Sequence, residues 1–127
     1  KIFDYIHSLD SEKLANKISD EQQKHKKKPK IFIQVNLGNE VQKSGIDKRN
    51  LNDFYKFCKT LNLDIIGTMC IPPNDGYTKK YFSEMSDLNK KLNFKELSMG
   101  MSEDYLEAIR YNATYIRVGS KIFGSRS

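Results

Sequence analysis

Hydrophobic and polar positions switch between two periods along this chain. Ile31-Phe32-Ile33-Gln34-Val35-Asn36-Leu37 is a short, mostly apolar run rich in β-branched residues. Ile65-Ile66-Gly67-Thr68-Met69-Cys70-Ile71 repeats that character and stops at Pro72-Pro73. Tyr115-Ile116-Arg117-Val118-Gly119 is a third such run, Glu96-Leu97-Ser98-Met99 a weaker one, and Tyr5-Ile6-His7-Ser8-Leu9 a candidate first. Near-continuous apolar runs of this length predict strands of a parallel sheet covered on both faces.

Helical spacing fills the intervals. Asp10 or Ser11 is placed to cap a helix that carries Leu14, Ala15 and Ile18 on one side and stays polar through Lys28. Asp47 is placed to cap a second, with Leu51, Phe54, Cys58 and Leu61 along one face. Tyr81, Met85, Leu88 and Leu92 mark a third stripe. Ser102 is expected to cap a fourth helix, with Glu103 and Asp104 where acids suit the positive end. Leu106 and Ile109 would form its apolar side, and Asn112 its stop. A last helical turn is expected around Lys121-Ile122-Phe123. The order β-α-β-α-β-α-β-α-β predicts an α/β fold with a parallel sheet. Doubly wound and barrel forms fit it equally.

Composition narrows the function classes. The chain has 127 residues, about one domain's worth, and no linker marks a second domain. No apolar run approaches the roughly 20 residues of a membrane span, and Lys1-Ile2-Phe3-Asp4-Tyr5 lacks the character of a secretory signal. Cys58 and Cys70 make no disulfide framework and no metal-ligand spacing. A soluble cytoplasmic protein is expected, with no membrane partner. The net charge is +6, concentrated in Lys24-His25-Lys26-Lys27-Lys28-Pro29-Lys30. Cations suit a helix C-terminus, and Pro29 follows as a stop. No aromatic residues interleave with the run as a single-strand platform requires, so no nucleic-acid partner is expected. His7 and His25 stand apart from any cluster of ligand spacing, so no metal site is expected either.

Chemistry in either α/β form gathers at the C-terminal ends of strands. Gly119-Ser120 follows a strand and is expected to open a helical turn, where close backbone approach and free N–H groups favour an anion. A hydroxyl from Ser98 or Ser120 would add a donor. The plainer alternative gives Gly119 and Gly124 to tight turns only. Arg117 lies inside an apolar strand, and alternation puts it on the face opposite Ile116 and Val118. A buried guanidinium needs an acceptor. An internal carboxylate and a bound ligand both satisfy that need.

Four segments carry a family resemblance: Asn36 through Ile46 (NLGNEVQKSGI), Gly67 through Pro73 (GTMCIPP), Leu97 through Asp104 (LSMGMSED) and Val118 through Arg126 (VGSKIFGSR). In order and spacing they resemble the YggS/PROSC family of pyridoxal 5′-phosphate (PLP) homeostasis proteins, related to the N-terminal barrel of alanine racemase. The resemblance implies a PLP-binding (β/α)8 TIM barrel with the cofactor at its C-terminal mouth. It implies that Ser98 and the backbone of Gly119 and Ser120 hold the PLP phosphate, and that Arg117 faces the pyridine nitrogen. Met69 and Met99 would pack near the ring, with Asn36 and Lys43 as further pocket candidates. The family's PLP-bonding lysine, on its first barrel strand, has no counterpart here. Residues 1–127 are therefore expected to be the C-terminal part of a single barrel domain, about the last five βα units of a fold that needs roughly 200 residues.

Three functions follow as expectations. The first is a non-catalytic carrier in intracellular PLP homeostasis, with PLP-dependent apoenzymes as candidate recipients. The second is a PLP-dependent amino-acid racemase, which needs a second base, commonly a tyrosine from a partner domain, and no second domain is visible in this chain. The third is a polyanion-binding module built on the lysine run. Open barrel edges further predict self-association of the fragment.

Overall fold

The computed structural model describes residues 5–37, 44–73, 75–119 and 121–124. In chain order the elements are β1 (Tyr5–Leu9), α1 (Glu12–His25), β2 (Lys30–Asn36), β3 (Ile46–Asp47), a 3-10 turn (Lys48–Asn50), α2 (Leu51–Thr60), β4 (Asp64–Met69), α3 (Thr78–Lys91), β5 (Glu96–Ser98), α4 (Tyr105–Arg110), β6 (Tyr115–Val118) and β7 (Lys121–Gly124). The sheet runs β1-β2-β4-β5-β6-β7, and β3 adds to β2. Pairings through β6 are parallel, and β7 returns antiparallel on β6. Among the described residues, no helix is long and apolar enough to cross a membrane.

Local chemistry sets the helix ends. The Ser11 hydroxyl accepts from the Leu14 N–H at 3.1 Å and starts α1. The Asp47 carboxylate accepts from the Arg49 N–H at 2.8 Å and starts the turn that leads into α2. The residues closing the four helices, Lys26, Asn62, Asn93 and Asn112, all lie at positive φ. Asparagine tolerates that region, and it breaks the helical ladder there.

The core lies between the sheet and its helices. Ile31, Ile33 and Val35 of β2 and Leu97 of β5 meet Ala15 and Ile18 of α1, Leu51, Phe54 and Cys58 of α2, and Phe82 and Met85 of α3. Where β4 meets β5 the backbones approach so closely that a Cβ on Gly67 would stand 1.9 Å from the Glu96 carbonyl oxygen. Only glycine fits there.

Four expectations are corrected. The buried stripe of α3 is Phe82, Met85, Ser86 and Asn89, with Tyr81, Leu88 and Leu92 on its flanks. Asn89 sets that phase: its side-chain oxygen accepts from Thr68 Oγ1 at 2.7 Å and its nitrogen donates to the Glu96 carbonyl at 2.8 Å. The fourth helix begins at Tyr105 with Asp104 at its cap position, and Ser102 does not cap it. Leu106 and Ile109 are exposed at 66% and 49%, and α4 buries Ala108 instead. Finally, Lys121–Gly124 is a strand, not a helical turn. Gly119, at φ +63°, starts a reversal that pairs Val118 with Lys121 and Arg117 with Ile122.

The sheet is strongly curled. β1 and β6 are four strand steps apart, about 19 Å in a flat sheet, yet the rings of Tyr5 and Tyr115 lie 5.7 Å apart. β1 and β5 are three steps apart, and His7 Nδ1 stands 3.0 Å from Ser98 Oγ. The result is a half-barrel trough with His7, Phe32 and Tyr115 filling its concave face, as interior residues fill a closed barrel.

Candidate functional site

The site is assembled at the C-terminal ends of β4, β5 and β6. Three backbone hydrogen bonds hold those ends together: Cys70 N–H to the Ser98 carbonyl at 3.1 Å, Met99 N–H to Tyr115 at 3.0 Å, and Arg117 N–H to Gly100 at 2.8 Å. They bring Met69, Cys70, Ser98, Met99, Arg117 and Ile122 around one small pocket with about 290 Å³ of open space. A larger hollow, about 1290 Å³ of open space, lies at the opposite end of the sheet by Lys30, Phe94, Lys95 and Tyr115. Size favours that hollow, and Lys30, Lys59 and Lys95 line it, but it sits at the strand N-termini. In barrels that end reads as stability, and the C-terminal end as chemistry.

Of the residues singled out in the sequence, Ser98, Arg117, Met69 and Met99 share the pocket. Ser98 is 7% exposed. Arg117 is half-buried and lies on the trough side of β6, opposite Ile116, as alternation requires. Among the described residues no carboxylate forms an ion pair with it. Gly119 is exposed, and its N–H donates to the Ser102 hydroxyl at 2.9 Å. Because β7 replaces the expected helical turn, this single N–H stands in place of a helix N-terminus. Ser120 and Lys43 lie outside the described residues. Asn36 ends β2 and is absent from the residues lining this pocket.

The sequence reading missed two participants. His7 contacts Ser98 across the trough, stacks on Phe32 at 4.3 Å and meets the edge of Tyr115 at 5.6 Å. Burial, and then the positive charge of Arg117, push its pKa down to about 4. It is therefore a neutral imidazole at neutral pH. Ser102 serves the Gly119 N–H rather than a helix. Only a histidine beside Ile6 on a short candidate strand hinted at His7, and no spacing rule links it to a residue 91 positions away. Cys70 is buried in the pocket wall, and burial pushes its thiol well up. It is a packing residue, not a nucleophile.

This donor set suits a planar, anionic guest that presents hydrogen-bond acceptors. The Ser98 hydroxyl can donate, the Gly119 N–H already faces an oxygen acceptor, the Arg117 guanidinium only donates, and Met69 and Met99 offer a polarizable apolar wall.

The family model of the alanine racemase N-terminal domain matches residues 2–127. A pyridoxal phosphate homeostasis protein of Aquifex aeolicus is 35% identical over 95% of this chain and 58% of its own length. One of Synechocystis is 37% identical over 98% of this chain and 62% of its own. Among solved structures, PipY of Synechococcus elongatus PCC7942 with PLP bound aligns with a TM-score of 0.82 and 32% identity. That alignment covers 96% of this chain and 61% of the PipY chain. The chain thus spans somewhat more than half the length of these relatives.

Proposed function

We propose that this chain, which belongs to the alanine racemase N-terminal domain family, forms the phosphate and ring-nitrogen end of a PLP site in a cofactor-carrying protein. The observation that carries the reading is the convergence of Ser98 and Arg117 on one pocket at the C-terminal ends of β5 and β6, with methionine walls. Ser98, Gly119 and Ser120 hold the phosphate. Arg117 faces the pyridine nitrogen.

When bound, PLP supplies an electron-accepting ring and a reactive aldehyde. The residues of this chain orient that ring and limit its reactivity. Arg117 has no proton acceptor to offer and a permanent positive charge, so it keeps the ring nitrogen it meets unprotonated. An unprotonated ring accepts electrons weakly, which suits storage and delivery of the cofactor better than carbanion chemistry. Met69 and Met99 exclude water from one side of the pocket. The name shared by the curated relatives supports the homeostasis reading. PLP-dependent apoenzymes are the recipients it proposes, and the domain it describes is a partial barrel, about the last five βα units.

The test is binding with substitution. Titration of the chain with PLP, followed by absorbance, should weaken about tenfold in Ser98→Ala and in Arg117→Met, as expected for the loss of one charged hydrogen bond. Unchanged affinity in both variants would sink the site. Turnover of any of a panel of amino acids in a racemisation assay would replace the carrier with the racemase reading.

A further inference from the structure

The contact between His7 and Ser98 decides what the serine can offer a guest. Serine has one proton to donate. A neutral imidazole also has one N–H, on either Nδ1 or Nε2. The 3.0 Å contact from His7 Nδ1 to Ser98 Oγ therefore has two forms. In one, Ser98 donates to a bare Nδ1, its proton is spent, and it turns only lone pairs toward the pocket. In the other, Nδ1–H donates to Ser98 Oγ and the serine proton stays free.

A phosphate dianion presents only acceptors, so the first form would set oxygen lone pair against oxygen lone pair. Ring rotation offers no easy escape. The imidazole is stacked on Phe32 with a 19° interplanar angle and is held at its edge by Tyr115 at 70°. Nor does a second ring proton: burial of the ring disfavours it, and Arg117, on the same side of the sheet, repels it. The choice falls to the tautomer.

We propose that His7 is a positioning residue for the anion site: its Nδ1–H donates to Ser98 Oγ, which frees the Ser98 hydroxyl proton for a phosphate oxygen. The strand-spanning pair thereby links β1 to the phosphate end of the pocket. It rests on the assignment of Ser98 to phosphate, and its test separates the two.

The test uses the full chain, 15N-labelled, with inorganic phosphate and PLP as probes. Long-range 1H–15N spectra report which His7 nitrogen carries the proton. With either ligand saturating, Nδ1 should be the protonated nitrogen. Phosphate affinity should fall about tenfold in His7→Phe, which keeps the stack on Phe32 but removes the donor that fixes the Ser98 hydroxyl toward the phosphate. It should fall no further in the double variant with Ser98→Ala. His7→Asn, whose amide can donate from near the Nδ1 position, should restore most of it. An Nε2–H tautomer in a chain that binds phosphate defeats the proposal alone, as does a His7→Asn variant no better than His7→Phe. A chain that binds neither ligand, or a Ser98→Ala variant of unchanged affinity, defeats the phosphate assignment and this proposal with it.

Discussion

The same strands present two different faces. Toward the helices, Ile31, Ile33, Val35 and Leu97 enter a dry apolar core with Phe82 and Met85. Toward the trough, alternate positions carry Phe32, Ser98, Tyr115 and Arg117, joined by His7 from β1. One face is filled mainly by apolar side chains, with the buried Asn89–Thr68 pair as a polar exception. The other mixes rings with a hydroxyl, an imidazole and a guanidinium, and burial together with that guanidinium depresses the protonation of the imidazole. Period-two alternation separates stability from chemistry within single strands, so a substitution's consequence depends on its face more than on its burial.

Two fully buried phenylalanines put the sharpest strain on that contrast. Phe82 and Phe32 are both 0% exposed. Phe82→Ala should lose about 3–5 kcal/mol of unfolding free energy in urea, a large part of a domain's total. It should leave the titration of His7 where it is. Phe32→Ala should lose a comparable amount and also raise the His7 pKa toward 6.5, because it wets the stacked imidazole. If His7 titrates alike in both variants, the two faces are not chemically distinct.

The helix face was far more legible in the sequence than the trough. Burial against helices writes a period directly, and Ala15, Ile18, Leu51, Phe54 and Cys58 were read from it. The phase of α3 was not, because Asn89 is buried for its hydrogen bonds and no hydropathy pattern marks it. Arg117 was legible as a lone charge in an apolar run. His7 was not, since its meaning depends on a curl that brings β1 over β5. Lys121–Gly124 is too short for periodicity to separate a strand from a helical turn, and the choice fell to Gly119. The phosphate assignment at Ser98 and Gly119 leans on the resemblance, because a lone Gly-Ser after a strand with a nearby hydroxyl is a weak anion signal by itself.

A smaller effect comes from pH. The folded pKa of His7, about 4, is below its ordinary value of 6.5. The unfolded chain therefore takes up the proton first as pH falls. The neutral-state stabilisation is complete above pH 6.5, declines between 6.5 and 4, and is gone below. With allowance for the partial solvent exposure of the ring, about 1–2 kcal/mol is at stake. Urea midpoints at pH 7.5 and pH 5 should differ by more in the parent chain than in His7→Phe. That subtraction removes the carboxylates, which titrate in both. Equal differences would place His7 in a wetter setting than the trough provides.

The smallest effect tests whether the trough's rim behaves like its floor. Ser102 accepts the Gly119 N–H at 2.9 Å, and both residues are exposed. In Ser102→Ala the amide turns to water, so the stability loss should stay near 0.5 kcal/mol. Binding is more telling. If the Ser102 oxygen stands where a phosphate oxygen would, the two compete for one N–H, and removing the hydroxyl should strengthen phosphate binding about two- to threefold. If instead the hydroxyl swings to donate to the phosphate, the same variant should weaken it. Isothermal titration with inorganic phosphate reads the sign directly. A gain marks Ser102 as a placeholder on the exposed Gly119 N–H, in contrast to Ser98, whose loss from the pocket wall should cost about tenfold.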